Sequence, residues 1–327
     1  MKIVSAKEKT IMKRLISIAL VLSTLFLFSC TVNENNNDVS KNKKQEDETQ
    51  DQDKIVIYFE GSETRSFIEA VIADNESKEV NATLMSVSKL SFDIDNESDI
   101  DKATTTPDTM KFSIQGKEYE VDYESTHRTL VANSDKKHLK EISDFVSYKS
   151  DDLRVEYRES TGEILKFMRS DVSKSFKEEE FLAENEIADI AQKYLNELYG
   201  EEYMKDYVMS SCTWDSKTVS YILRFWKYVG GVKTNSYVAM HICPDGTIKS
   251  MTFKNKGVYD NAANEVSQEM IDKAYKYMTD LFNEAGLQAV LDPDVLMSTV
   301  GDYYLCVNVS NGSNTLDRYY VNLNQFK

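Results

Sequence analysis

Between Met110 and Tyr123 an apolar side chain falls on every second residue: Met110, Phe112 and Ile114, then Tyr119, Val121 and Tyr123. A strand turns successive side chains to opposite faces, so this spacing predicts strands with one buried face. Gln115-Gly116-Lys117 interrupts the alternation and reads as a hairpin turn, with glycine supplying the turn conformation. The pattern recurs in Leu153, Val155 and Tyr157, then Ile164 and Phe167, across Ser160-Thr161-Gly162. Parallel strands covered on both faces read instead as continuous apolar runs. Alternation with hairpin-sized turns therefore predicts antiparallel sheet, and with the helices below it predicts an α+β fold.

Two segments have helical spacing. Over 175–199, Ile187, Ile190, Ala191, Tyr194, Leu195 and Leu198 fall on one side, and Ser175 with Glu178 fits a capping box. Over 267–285, Ile271, Ala274, Met278, Leu281 and Phe282 form the apolar face, and Gly286 ends it. Strands are expected after the first helix at 206–213, 218–229, 234–243 and 247–253. After the second they are expected at 295–300, 302–310 and 318–324. A short strand at 55–59 and a short helix at 63–72 precede them, the helix grouping Phe67, Ile68, Val71 and Ile72. One helix followed by antiparallel strands thus occurs at least twice, which predicts a structural repeat.

The first thirty residues carry an export signal. Lys7, Lys9, Lys13 and Arg14 precede the apolar run Leu15–Phe28, which is too short for a spanning helix. Met12-Lys13-Arg14 makes a compact basic start by itself. The run ends in Leu27-Phe28-Ser29-Cys30, which resembles the lipobox of bacterial lipoproteins. That resemblance implies cleavage before Cys30 and lipid on its thiol. Thr31 to Lys54 is almost devoid of apolar side chains and cannot offset the entropy of ordering, so 30–54 reads as a tether.

Tyr221-Ile-Leu-Arg-Phe-Trp-Lys-Tyr-Val-Gly-Gly-Val-Lys-Thr, Tyr237-Val-Ala-Met-His-Ile and Asp245-Gly-Thr-Ile-Lys are similar to the PepSY-type module, as is the preceding Ile187-Ala-Asp-Ile-Ala-Gln-Lys-Tyr-Leu. The similarity covers about 175–253 and extends weakly over 263–324. It implies repeated units of one helix packed on an antiparallel sheet, PepSY- or cystatin-like. It also implies an exported binding or peptidase-modulating protein, and it brings no catalytic residue. The expected division is a signal at 1–29, a lipidated tether at 30–54, a β-rich domain at 55–172, a PepSY-like module at 173–258 and a second module at 259–327.

Catalytic patterns are scarce. The three histidines, His127, His138 and His241, have no metal-ligand spacing. Cys212, Cys243 and Cys306 fall in expected strands and read as buried thiols, with a Cys212–Cys243 bridge as the alternative. Asp93, Asp95, Glu97, Asp99 and Asp101 alternate like a calcium loop. Ser98 stands where that loop needs glycine and Thr104 where it needs glutamate, so a solvated loop is expected. No cofactor or metal site is read from the sequence.

The chain carries a formal charge of -16, which leaves no overall attraction for nucleic acid. Residues 1–29 hold five basic residues and one acidic residue, so their removal takes the charge from -16 to -20. An anionic membrane surface repels such a body, leaving the lipid on Cys30 to hold it. The 19 tyrosines point to cross-strand packing, and Tyr221, Trp226, Tyr228, Tyr237, Tyr303 and Tyr304 are candidates for a binding platform. The expected function is a non-enzymatic, lipid-anchored protein on the extracytoplasmic face of the cell membrane. It would bind a peptide, a peptidase or an envelope protein. The alternatives are a solute-binding lipoprotein of a transporter and, less favoured, an envelope hydrolase.

Overall fold

In a computed structural model, the structure describes residues 54–75, 82–90, 96–131, 140–173, 175–289, 293–298, 301–310 and 315–327. The expected signal, Cys30, the tether up to residue 53, Asp93, Asp95 and His138 lie outside them.

The described chain begins with β1 (Ile55–Glu60), α1 (Arg65–Asn75) and β2 (Ala82–Ser86). Six strands follow: β3 (Asn96–Ile100), β4 (Thr109–Ile114), β5 (Lys117–Val131), β6 (Lys140–Lys149), β7 (Leu153–Arg158) and β8 (Glu163–Arg169). Next come α2 (Glu184–Tyr199), a single turn α3 (Glu201–Met204), and β9 (Tyr207–Asp215), β10 (Ser220–Val229), β11 (Val232–Ile242) and β12 (Ile248–Lys254). The last part holds α4 (Ala262–Glu265), α5 (Gln268–Glu284), β13 (Gln288–Ala289), β14 (Asp294–Met297), β15 (Tyr303–Ser310) and β16 (Thr315–Asn322).

Local chemistry accounts for the hairpins. β4 and β5 are joined by Gln115-Gly116, both with positive φ, 49° and 79°. Two such residues give the turn whose twist matches that of the flanking strands. Phe112, Ile114, Tyr119 and Val121 are buried on the side that the alternation predicts.

The helices follow the sequence signals in part. Ser267 caps α5 by accepting a hydrogen bond from the Met270 N–H at 3.2 Å. Met270, Ile271, Ala274, Met278, Leu281 and Phe282 are buried beneath it. The other long helix starts at Glu184, nine residues beyond the expected start at Ser175. One tertiary and one local bond hold the approach out of α-helical form: the Leu182 N–H donates to the Pro244 carbonyl, and the Lys177 N–H donates to the Glu180 side chain three residues on. Glu186 then accepts from the Ala183 N–H at 2.9 Å and performs the capping role expected of Glu178.

The expected α+β array of repeated helix-on-sheet, PepSY- or cystatin-like units is not what the chain builds. β1 to β16 hydrogen-bond into one large mixed sheet. Pairings far apart in sequence create it. β8 joins β12 through Ser250↔Met168 and Met251↔Phe167. β11 runs parallel to β14 over Lys233↔Asp294 and Thr234↔Val295. β1 lies between β2, in parallel, and β16, antiparallel. Period two specifies hairpins and faces, but it carries no information about which hairpin docks beside which.

Two clusters of buried side chains line this sheet. One gathers the inward faces of β4–β12 around Ile187, Ala191, Tyr194 and Leu195 of α2. The other joins β1, α1 and α4 to α5, β15 and β16, through Ile57, Ile68, Ala262, Phe282, Val307 and Tyr319. A small third cluster, Tyr304, Cys306 and Tyr320, packs on the opposite face beside Tyr58.

Candidate functional site on the open face of the central sheet

The strands β9–β10–β11–β12–β8 present two very different faces. On one, Leu223, Phe225, Val238, Met240, Met251, Phe253 and Phe167 are buried beneath α2. The intervening residues turn the other way. Three rows cross the strands on that side: Trp226↔Tyr237↔Lys254, Arg224↔Ala239↔Thr252↔Lys166, and Ile222↔His241↔Ser250↔Met168.

The middle row is low at its centre, because Ala239 and Thr252 are small. Its ends are cationic. Arg224 and Lys166 are exposed and lack a carboxylate partner among the described residues. Three strand spacings separate them, or about 14 Å. The first row forms an aromatic wall: the rings of Trp226 and Tyr237 lie 4.7 Å apart at 49°. Lys233 stands over Trp226 at 5.4 Å and also reaches Asp294 at 3.3 Å. The third row forms the opposite wall, and Met168 is its most exposed member.

His241 reports the local field. Burial lowers its pKa first, and the positive charges of Lys249 and Arg224 lower it further, against the opposing pull of Asp215. Its Nδ1 lies 3.3 Å from the Ser220 hydroxyl. The imidazole is therefore neutral near pH 7 and occupies cationic surroundings. Lys249 donates to the Thr218 carbonyl beside it at 3.0 Å. Among the described residues, acidic groups border this patch at Glu156, which stands opposite Lys166 in the same row, at Asp215, and at Asp294 beside Lys233.

The expected aromatic platform is divided by the fold. Trp226, Tyr228 and Tyr237 belong to the open face. Tyr221 turns inward, where its ring meets Trp214 at 5.1 Å. Tyr303 and Tyr304 are buried in separate clusters of the C-terminal strands. The cations of the middle row escaped the sequence reading because they lie in different strands, brought side by side only by the pairing of β8 with β12 and of β10 with β11. The signal that could have found them is the same alternation, read for its outward residues.

Other candidates carry less chemistry. Cys212, Cys243 and Cys306 are unlinked. Burial raises the pKa of all three, and that of Cys306 reaches about 12. These thiols are poor nucleophiles. His127 stacks on Phe145 at 5.4 Å. Asp99 and Asp101 flank the end of β3, and no metal-binding group of three His, Cys, Asp or Glu occurs among the described residues.

A further ionic cluster joins the two main cores. Lys227 pairs with Asp260 and Lys256 with Glu163, each at 2.7 Å, and Tyr203 presents its ring to both ammonium groups. Lys227 and Lys256 are almost fully buried there, so the cluster reads as a structural joint. No described helix is long and apolar enough to cross a membrane.

No protein-family model matches this chain, and neither a curated protein nor a solved structure matches it.

Proposed function

We propose that this chain is a non-enzymatic binding protein, tethered to the extracytoplasmic side of the cell membrane by lipid on Cys30, and that it works through the open face of its central sheet. The carrying observation is the contrast between that face and the rest of the chain. A protein with a formal charge of -16 gathers Arg224, Lys166, Lys249 and Lys254 around an aromatic pair on one sheet face that no described helix covers. Aromatic and arginine side chains are the residues enriched at binding surfaces.

The tether follows from the lipobox-like Leu27-Phe28-Ser29-Cys30 and the polar stretch after it. Peptidase modulation belongs to the same reading, with a peptidase as the envelope partner. A transporter's solute-binding lipoprotein would bring two doubly wound lobes around a cleft. Here the strand pairs are antiparallel except β1–β2 and β11–β14, so no observation favours that alternative. None favours a hydrolase either.

Two measurements test the proposal. A Cys30→Ala chain should leave the washed membrane fraction, and its retention there would remove the lipid anchor. The purified full chain should co-sediment with an isolated envelope fraction, and Arg224→Glu with Lys166→Glu should weaken this. Equal sedimentation of the variant would remove the open face from the function.

A further inference from the structure

Resting on the open face as the binding surface, we propose that its ligand is an anionic sugar polymer. The strand laid across the sheet would follow the trough between the Trp226–Tyr237 wall and the Ile222–His241 wall. Three features on this face select that chemistry.

The first is charge. Arg224 and Lys166 close the two ends of the trough, Lys254 stands in the aromatic row, and Lys249 lies beside His241. Two fixed positive groups in one row, Arg224 and Lys166, with Lys254 and Lys249 to either side, match a ligand that carries more than one anionic group. Those groups would stand about 14 Å apart when they engage Arg224 and Lys166 together, three strand spacings away. The guanidinium of Arg224 can donate two parallel hydrogen bonds to a phosphate, sulfate or carboxylate.

The second is the pair of rings. Trp226 and Tyr237 are partly exposed and border the trough beside Arg224 and Ala239. Rings of this kind cover the apolar faces of sugar rings, and their polar N–H and O–H edges remain available to hydroxyl groups. Inorganic polyanions and acidic peptides without rings would leave this wall unused.

The third is shape. Ala239 makes the middle row low between the rings of Tyr237 and His241 on the same strand, and that row runs across the strands. A peptide adding to a sheet runs along a strand edge instead. The free edge at β9 is spoiled for that mode by a bulge, where the register with β10 slips between Arg224 and Phe225.

The experiment titrates the purified full chain, in detergent micelles, with dextran sulfate and with neutral dextran of the same length. Inorganic polyphosphate, single-stranded DNA and phosphatidylglycerol micelles are the comparison probes. Dextran sulfate should bind, neutral dextran should not, and binding should weaken with added salt. Arg224→Glu with Lys166→Glu, both exposed, should weaken dextran sulfate by about tenfold or more while thermal unfolding stays in place. Trp226→Ala should weaken dextran sulfate and leave polyphosphate unchanged.

Unaltered binding by the double charge variant would overturn the proposal. So would equal binding of DNA or polyphosphate with no effect of Trp226→Ala, since the ligand would then be any polyanion. Competition by phosphatidylglycerol micelles as strong as that by dextran sulfate would assign the face to a lipid headgroup. If dextran sulfate fails while envelope co-sedimentation still depends on Arg224 and Lys166, the ligand class falls and the binding function stands.

Discussion

Asp317 accepts two hydrogen bonds from Thr64, one from its backbone N–H and one from its hydroxyl, each at 2.6 Å. Thr64 is the residue before α1, and its carbonyl accepts from the Phe67 and Ile68 N–H groups. The cap of the first helix is therefore supplied from β16, 253 residues away in sequence. Asp317→Ala leaves the Thr64 N–H without its acceptor in a buried site, while the Thr64 hydroxyl keeps Tyr319 at 2.8 Å, and should cost about 1–3 kcal/mol. Urea unfolding measures it. Gly61→Ala should act at the same place, because a Cβ there would sit 1.7 Å from Asp317 Oδ1 at a φ of +108°. The two substitutions should be non-additive, and strict additivity would argue against a shared site.

Asp171 anchors a second network. Burial works against its ionised form. Hydrogen bonds from Arg169, Lys117 and Tyr119 overcome that and hold its carboxyl well below the usual carboxylate range. A depressed folded pKa contributes stability above the unfolded value near 4, and that stability is lost as pH falls through the folded value. Asp171→Asn should lower stability at pH 7 by about 2–3 kcal/mol. It should also flatten the loss between about pH 5 and pH 2. An unchanged slope of stability against pH would place the acid sensitivity elsewhere.

Lys256 tests the joint between the two cores. Its ammonium lies 2.7 Å from Glu163 and 4.4 Å from the ring centre of Tyr203. Burial opposes ionisation of Glu163, and Lys256 outweighs it, so the carboxyl stays below its usual range. Lys256→Met should cost about 1–3 kcal/mol, because it removes the nearest cation from that carboxylate and leaves it Arg158 at 3.7 Å and the Thr161 hydroxyl at 2.9 Å. Adding Glu163→Gln should restore part of the loss. If the double variant is no more stable than Lys256→Met, the pair is not coupled.

The thiols give a chemical readout. The unfolded, unreduced chain with Cys30 replaced should titrate three thiols, since Cys212, Cys243 and Cys306 are free. A single thiol would mean a bridge. In the folded protein at pH 8, half-buried Cys212 should react first. Cys306 should react last, because it is buried and its pKa is pushed up to about 12.

Local structure was legible wherever short-range chemistry decides it. Gln115-Gly116 marked its hairpin, and Ser267 with Ile271, Ala274, Met278, Leu281 and Phe282 marked α5 and its buried face. Phe67, expected on the packed side of its helix, is 44% exposed, because α1 lies against its neighbours through Ile68 and Ile72 instead. The sequence alone also determined the strongly acidic charge and the lipobox-like segment around Cys30.

Only the tertiary structure decided that the hairpins form one mixed sheet and not repeated helix-on-sheet units. The same holds for the candidate site. Lys166 and Arg224 are 58 positions apart and meet in one row only through β8↔β12 and β10↔β11 pairing. The physical reason is common to both. Alternation fixes the face of a strand, whereas strand partners are chosen by which buried faces fit together across the whole chain. Period-two sequences permit many such pairings, and packing selects among them.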